Sequence, residues 1–256
     1  THIKGETMRS CLTLACIIFA NLLASAQGAD RPNILWITSE DNGVSWISCY
    51  GGVNCETPAI DQLAEEGFRY THCFDNAAVC APTRSTWITG MYAISLGTQP
   101  MRSRNAIPHD VIKYYPDLLR GAGYFSTNGG KTDYNIGGRP DNDCWDPGSG
   151  VRAWQKRKED QPFFAIVNIG DSHESRAHGS TEGTTHDPAD MTLYSYHPDL
   201  PAIRGTYAKY ADAVERMDSS VGGTIERLKE DGLYEDTIIV YCSDHGGVLP
   251  RSKRFL

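Results

Sequence analysis

Three short, nearly continuous apolar runs constrain the fold of this chain most: Asn33–Thr38, Phe163–Ile169 and Thr237–Tyr241. All three read as strands, and the first, Asn33–Thr38, has the pattern of a parallel strand buried on both faces. Between them the spacing becomes helical. Thr57 to Gly67 offers a Thr N-cap, a proline in the first turn and a closing glycine. Asp117–Ala122 ends a helix at Gly123 and leads into a strand over Tyr124–Asn128, and Arg69–Phe74 reads as one more strand. Over 206–230, Tyr207, Tyr210, Ala211, Val214, Met217, Val221, Ile225 and Leu228 recur on one helical face. The alternation predicts an α/β fold, a doubly wound, mostly parallel sheet whose ligands bind beyond the carboxyl ends of the strands. Residues 171–205, rich in Ser, His, Gly, Asp and Pro, read as a long functional loop.

The first 26 residues are set apart from this pattern. Met8-Arg9-Ser10 is a short basic segment, Cys11–Leu23 is apolar, and Ala24-Ser25-Ala26 is a small-residue cleavage site. The run is too short and wrongly flanked to span a membrane. An exported, periplasmic or secreted protein is expected, cleaved near Ala26 or Ala29, with 27–256 as its folded part. Loss of Lys4, Glu6 and Arg9 moves the formal net charge from −8 to −9, which disfavours a nucleic-acid partner. Six cysteines remain: Cys49, Cys55, Cys73, Cys80, Cys144 and Cys242. In an oxidising compartment any one of them reads as a disulfide partner or a small buried apolar residue.

Polar clusters stand where strands end. Asn33–Thr38 runs directly into Glu40-Asp41-Asn42-Gly43, and Thr237–Tyr241 runs into Ser243-Asp244-His245-Gly246. Adjacent carboxylates repel unless a cation lies between them, so each cluster reads either as a cation site or as a solvated turn. A third group, Cys80-x-Pro82-x-Arg84, puts a thiol where a helix can open, with Pro82 pre-set for the first turn. The unpaired N–H groups of such a turn bind anions, so chemistry at Cys80 would face a place suited to negative charge. No histidine lies near Cys80 in sequence to support thiolate chemistry. Met101–Arg104 and Trp154–Lys158 read either as walls of a cleft or as exposed surface.

Taken together and in this order, Glu40-Asp41, Cys80-x-Pro82-x-Arg84, Gly130-Lys131, Asp171-Ser172-His173, Asp244-His245 and Lys253 resemble the motifs of the sulfatase family. The resemblance extends from Arg31 to Leu256 and is closest to heparan N-sulfatase-like and bacterial polysaccharide sulfatases. It implies an alkaline-phosphatase-like fold and hydrolysis of sulfate esters of a sulfated glycan. It also implies that a formylglycine-generating enzyme converts Cys80 to formylglycine, whose hydrate attacks sulfur with one hydroxyl and expels sulfate with the other. Arg84 would hold that hydrate, Lys131 and Lys253 the sulfate, and His173 would protonate the leaving oxygen. Glu40, Asp41 and Asp244, with residue 80, would hold Ca²⁺ or Mg²⁺, and His245, a soft ligand for so hard a cation, would either ligate it weakly or touch the sulfate. Glu40 stands where the family usually has Asp, and Thr132-Asp133 stand where it usually has Trp-His. Family members continue into a smaller C-terminal subdomain, so residues 27–256 alone are expected to be poorly stable and essentially inactive. Phosphomonoester or phosphonate ester hydrolysis on the same layout, and non-catalytic glycan binding with an unmodified Cys80, are the competing readings.

Overall fold

Strand β1 (Asn33–Ser39) lies between β3 (Phe163–Ile169) and β4 (Thr237–Ser243), with β2 (Phe125–Asn128) outside β3, all parallel. The structure is a computed structural model that describes residues 31–256 except 149, 179, 181, 248, 250–252 and 254–256. The leader expected over residues 1–26 lies outside the described residues. Ser39 pairs with Ile169 on one side and Ser243 on the other, so three strands end level and their following loops meet. Six α-helices accompany the sheet among the described residues: α1 (Pro58–Glu66), α2 (Cys80–Thr89), α3 (Ala93–Leu96), α4 (Tyr115–Gly121), α5 (Glu174–Ala177) and α6 (Pro201–Glu230).

Period-two alternation along the strands separates two cores. Leu35, Ile37, Ala165 and Val167 pack with Ile60 of α1 and with Tyr210, Val214, Met217 and Leu228 of α6. Ile34, Trp36, Phe164 and Ile166 point the other way, into a core with Ile88 of α2, Leu96 of α3 and Leu119 of α4. Full burial of each large aliphatic side chain contributes about 1.5–3 kcal/mol. Helices on both faces make the sheet doubly wound, as the apolar runs predict.

The start of α1 is held from outside. The Thr57 hydroxyl, expected as its cap, accepts instead from the Ser48 amide at 2.9 Å, and Asp218 of α6 accepts from Ala59 N and Ile60 N at 3.0 Å each. Burial raises the Asp218 carboxyl, and these two N–H bonds work against that rise. Gly222 lets the helices touch, since a Cβ there would lie 3.2 Å from Ala59 Cβ. Asp218→Ala is expected to cost about 1–2 kcal/mol, the loss of a cap that leaves two donors unmet. Asp218→Asn should recover part of it. A denaturant midpoint unchanged in the alanine variant would contradict this role.

Three expectations need correction. Arg69–Phe74 forms no strand; it is an irregular segment outside the four-stranded sheet, with Phe68, Tyr70 and Phe74 exposed. Its apolar alternation fits a pleated surface, but a strand exists only where its backbone pairs. Trp154 is neither a cleft wall nor surface: fully buried, it stacks on Phe163 and donates to Asp231 at 2.8 Å. The long helix begins at Pro201 rather than 206, because a proline at the first position is compatible with a helix start. Strand β4, as expected the last, pairs only with β1 among the described residues, and Ile238 and Val240 on one of its faces are exposed. Among the described residues, no helix is long and apolar enough to cross a membrane.

Candidate active site

The level strand ends gather the acids. After β1 the chain turns at Asp41, in the left-handed region at φ 57°, while Asp41 N donates to Asp244 Oδ1 at 2.9 Å across the sheet. The Ser172 hydroxyl, beyond β3, donates to the Glu40 carbonyl at 2.5 Å, and Glu174 N donates to Asp41 Oδ2 at 2.6 Å. Tyr210 of α6 donates its hydroxyl to the Asp41 carbonyl. Each loop is therefore fixed by another loop or by the long helix.

Helix α2 brings Cys80 to this place at its first residue, preceded by Val79 in extended conformation. The helix is buried from Cys80 through Ser85. Cys80 Sγ lies 3.3 Å from His245 Nε2, so the fold supplies the imidazole that is absent nearby in sequence. The same Nε2 is 3.0 Å from Asp41 Oδ1 and 3.2 Å from Asp244 Oδ2. Burial opposes every charge here, raising the carboxyls and lowering the bases. Even so, hydrogen bonding with His245 holds Asp41 and Asp244 below the usual carboxylate range, helped by Lys253 at Asp41. His245 in turn is pushed up to about 11 by Asp244, Asp41 and Cys80.

Asp41, Cys80, Asp244 and His245 offer ligand atoms that all lie within 4.8 Å of one another, a set of oxygen, sulfur and nitrogen donors. Asp244 Oδ2 and His245 Nδ1 are both buried, and the carboxylate oxygen has the His245 ring nitrogen Nε2 3.2 Å away. Two buried carboxylates brought this close repel unless a cation lies between them, so these residues fit a divalent ion. Glu40 stands apart from this set of four. Its Oε2 lies 3.0 Å from Lys131 Nζ and 3.7 Å from His173 Nε2, and its Oε1 3.4 Å from Arg84 Nη2. With Cys80 and His173 it forms a second cluster, so Cys80 belongs to both.

The cations surround the same point. Arg84 donates through Nη1 to the Lys131 carbonyl at 3.1 Å and to Asn168 Oδ1 at 2.8 Å. Lys253 places Nζ 2.8 Å from Asp41 Oδ1 and 3.0 Å from Glu174 Oε2; burial pulls its pKa down, but Asp41 raises it overall. His173 caps α5 and keeps Nε2 3.9 Å from Asp41 Oδ2. The fold thus brings together all nine residues drawn from the motifs. Asn168 and Glu174 are additional, one orienting Arg84 and the other sharing Lys253. The first had a signal, since Asn128 and Asn168 are polar residues near strand ends and bond each other at 2.7 Å. All six cysteines among the described residues are free.

Fold and site together define an alkaline-phosphatase-like α/β protein. The solved structure of a phosphonate monoester hydrolase from Agrobacterium radiobacter superposes with a TM-score of 0.68 at 18% identity, covering 84% of this chain and 63% of that one. The chain belongs to the sulfatase family, whose model, described as Sulfatase, matches residues 32–141 and 130–255. It is 33% identical to an ulvan-active sulfatase of Formosa agariphila across 89% of this chain and 46% of that protein. To the human N-sulphoglucosamine sulphohydrolase it is 24% identical across 95% of this chain and 56% of that protein. The chain therefore spans about half the length of these curated relatives.

Proposed function

We propose that this protein is an exported sulfuric ester hydrolase that removes sulfate from a sulfated carbohydrate, with Cys80 matured to formylglycine by a formylglycine-generating enzyme. The observation that carries the reading is the position of Cys80, shared between a metal-fitting set and a cluster bearing His173 near Arg84 and Lys131. Asp41, Asp244, His245 and residue 80 would hold the divalent ion, for which Ca²⁺ is the expected occupant once an oxygen replaces the cysteine sulfur. Together the ion and the formylglycine supply a Lewis acid and an oxygen nucleophile.

The chain's own residues do the rest. Arg84, fixed by Asn168 and the Lys131 carbonyl, directs its guanidinium at the nucleophile position and favours its anionic form. Lys131 and Lys253 are each on a carboxylate, Glu40 and Asp41, and share their charge with the sulfuryl oxygens as negative charge builds there. His173, 30% exposed at its side chain, has Nε2 turned inward and Nδ1 3.0 Å from Ser175 Oγ, so it can hold a proton for the leaving alcohol. Glu40 balances Arg84 and Lys131 and keeps the pocket from becoming a permanent anion trap.

The test is paired. Nitrophenyl sulfate should be turned over and its phosphate analogue far more slowly, and the Cys80 peptide of the active protein should carry an aldehyde that reacts with hydrazide. Preference for the phosphate ester would favour phosphomonoester hydrolysis. An active preparation whose Cys80 is entirely thiol would contradict the maturation step.

A further inference from the structure

Six non-glycine residues among those described hold left-handed backbone, and five of them sit at two places. Asp41 and Lys253 belong to the site above. Arg102 (φ 61°), Asp133 (φ 49°) and Asn135 (φ 62°) line a second place, a concavity of about 650 Å³ that also involves Arg104, Gly137 and Asp141. Sparsely populated backbone persists where the surroundings over-determine it, and it concentrates at binding sites. The volume is within the roughly 300–1,000 Å³ range of small-ligand pockets.

The walls are built rather than incidental. Gly137 meets the opposite loop so closely that a Cβ would fall 2.1 Å from the Arg104 carbonyl oxygen, and only glycine permits that contact. Buried Asn135 ties the same loops together, donating Nδ2 to the Thr98 carbonyl at 2.6 Å and the Pro100 carbonyl at 2.8 Å. Arg102 is paired with Asp133, and Asp141 accepts from Tyr134 N at 3.2 Å. Arg104 is exposed, and its guanidinium has no ion pair or hydrogen bond among the described residues. The pocket therefore presents one unengaged planar cation beside carboxylates and an open glycine backbone, which suits an anionic sugar with hydroxyl groups.

Its place matters as much as its lining. Asp133 follows Lys131 by two residues, a span of at most about 7 Å. Lys131 in turn has its ammonium on Glu40 and its carbonyl on Arg84. We propose that this concavity is a saccharide subsite, in which Arg104 binds a second oxyanion of the glycan, a carboxylate or a further sulfate, while the scissile sulfate lies against Lys131. This inference rests on the sulfatase reading above for the position of the scissile ester.

The probe is a sulfated disaccharide carrying one uronic carboxylate, compared with the carboxyl-reduced form and with the form keeping a single sulfate. In Arg104→Ala the ratio of kcat/KM on this disaccharide to that on nitrophenyl sulfate should fall about 10- to 100-fold, chiefly through KM. Arg104→Lys should recover part of the loss. Whichever altered disaccharide no longer distinguishes wild type from variant identifies the oxyanion bound. Calorimetric binding of the same disaccharide should weaken by at least about tenfold in Arg104→Ala. Equal affinity in wild type and variant would overturn the subsite. Weakened binding in a protein that hydrolyses no sulfate ester would leave the subsite standing and overturn the catalytic reading instead.

Discussion

In the complete enzyme, Asp244→Ala is expected to empty the metal site and to lower sulfate-ester turnover by at least about 10³-fold. The size follows from what a metal contributes, several kcal/mol of charge stabilisation in the transition state, with each 1.36 kcal/mol worth a factor of ten. Asp244 carries this because its Oδ1 is already committed to the amides of Asp41 and His245, at 2.9 Å each, while Oδ2 is buried and meets only the ring nitrogen of His245, at 3.2 Å, among the described residues. Alanine removes a charge, a ligand and the acceptor that holds the Asp41 turn. Asp244→Asn separates these: it retains an acceptor for the amides and loses the charge, so the fold should persist while metal affinity drops. Asp41→Ala should match Asp244→Ala in both readouts and also free Lys253 from its strongest partner. Elemental analysis decides the matter. Full metal occupancy in either alanine variant would remove these carboxylates from the ligand set.

Most of this site was legible because parallel sheets write their function at strand ends. Glu40-Asp41 after β1, His173 after β3 and Asp244-His245 after β4 are polar groups released where buried apolar runs stop, and the level register of three strands then makes them meet. What stayed hidden depended on distances across the fold. The approach of His245 to Cys80 spans 165 residues and has no local signature. Glu174 becomes a partner of Lys253 only because α5 folds back over Asp41. Arg69–Phe74 misled for the opposite reason, since its alternation is a genuine local preference that no sheet neighbour among the described residues satisfies. Arg102–Arg104 illustrates the middle case. Its charge was visible, but the pocket exists only because Gly137 and Asn135 clasp a loop more than 30 residues away.

Arg84→Ala is expected to cost about 3 kcal/mol of stability in addition to activity, at the lower end of the penalty for breaking a buried ion pair from one side. Arg84 is 3% exposed, and its guanidinium joins Glu40, Asn168 and the Lys131 carbonyl while lying 5.4 Å over the Trp87 ring. Its removal leaves Glu40, itself 5% exposed, with Lys131 as its remaining close cation and Asn168 Oδ1 without its shortest donor. The surviving Lys131–Glu40 pair is the reason for choosing the low end of the range. Against a typical net stability of about 5–15 kcal/mol, this loss should be plain in denaturant unfolding. Arg84→Lys should fall between, because an ammonium is a point charge and cannot span three acceptors set around a planar fork. Stability and catalysis come apart in the double variant Arg84→Met with Glu40→Gln. Neutralising both partners removes the stranded charge, so the midpoint should recover much of what Arg84→Ala loses, while sulfate-ester turnover should remain abolished. Recovery of turnover along with stability would show that Arg84 acts only by balancing Glu40, and that the nucleophile position takes nothing from it directly.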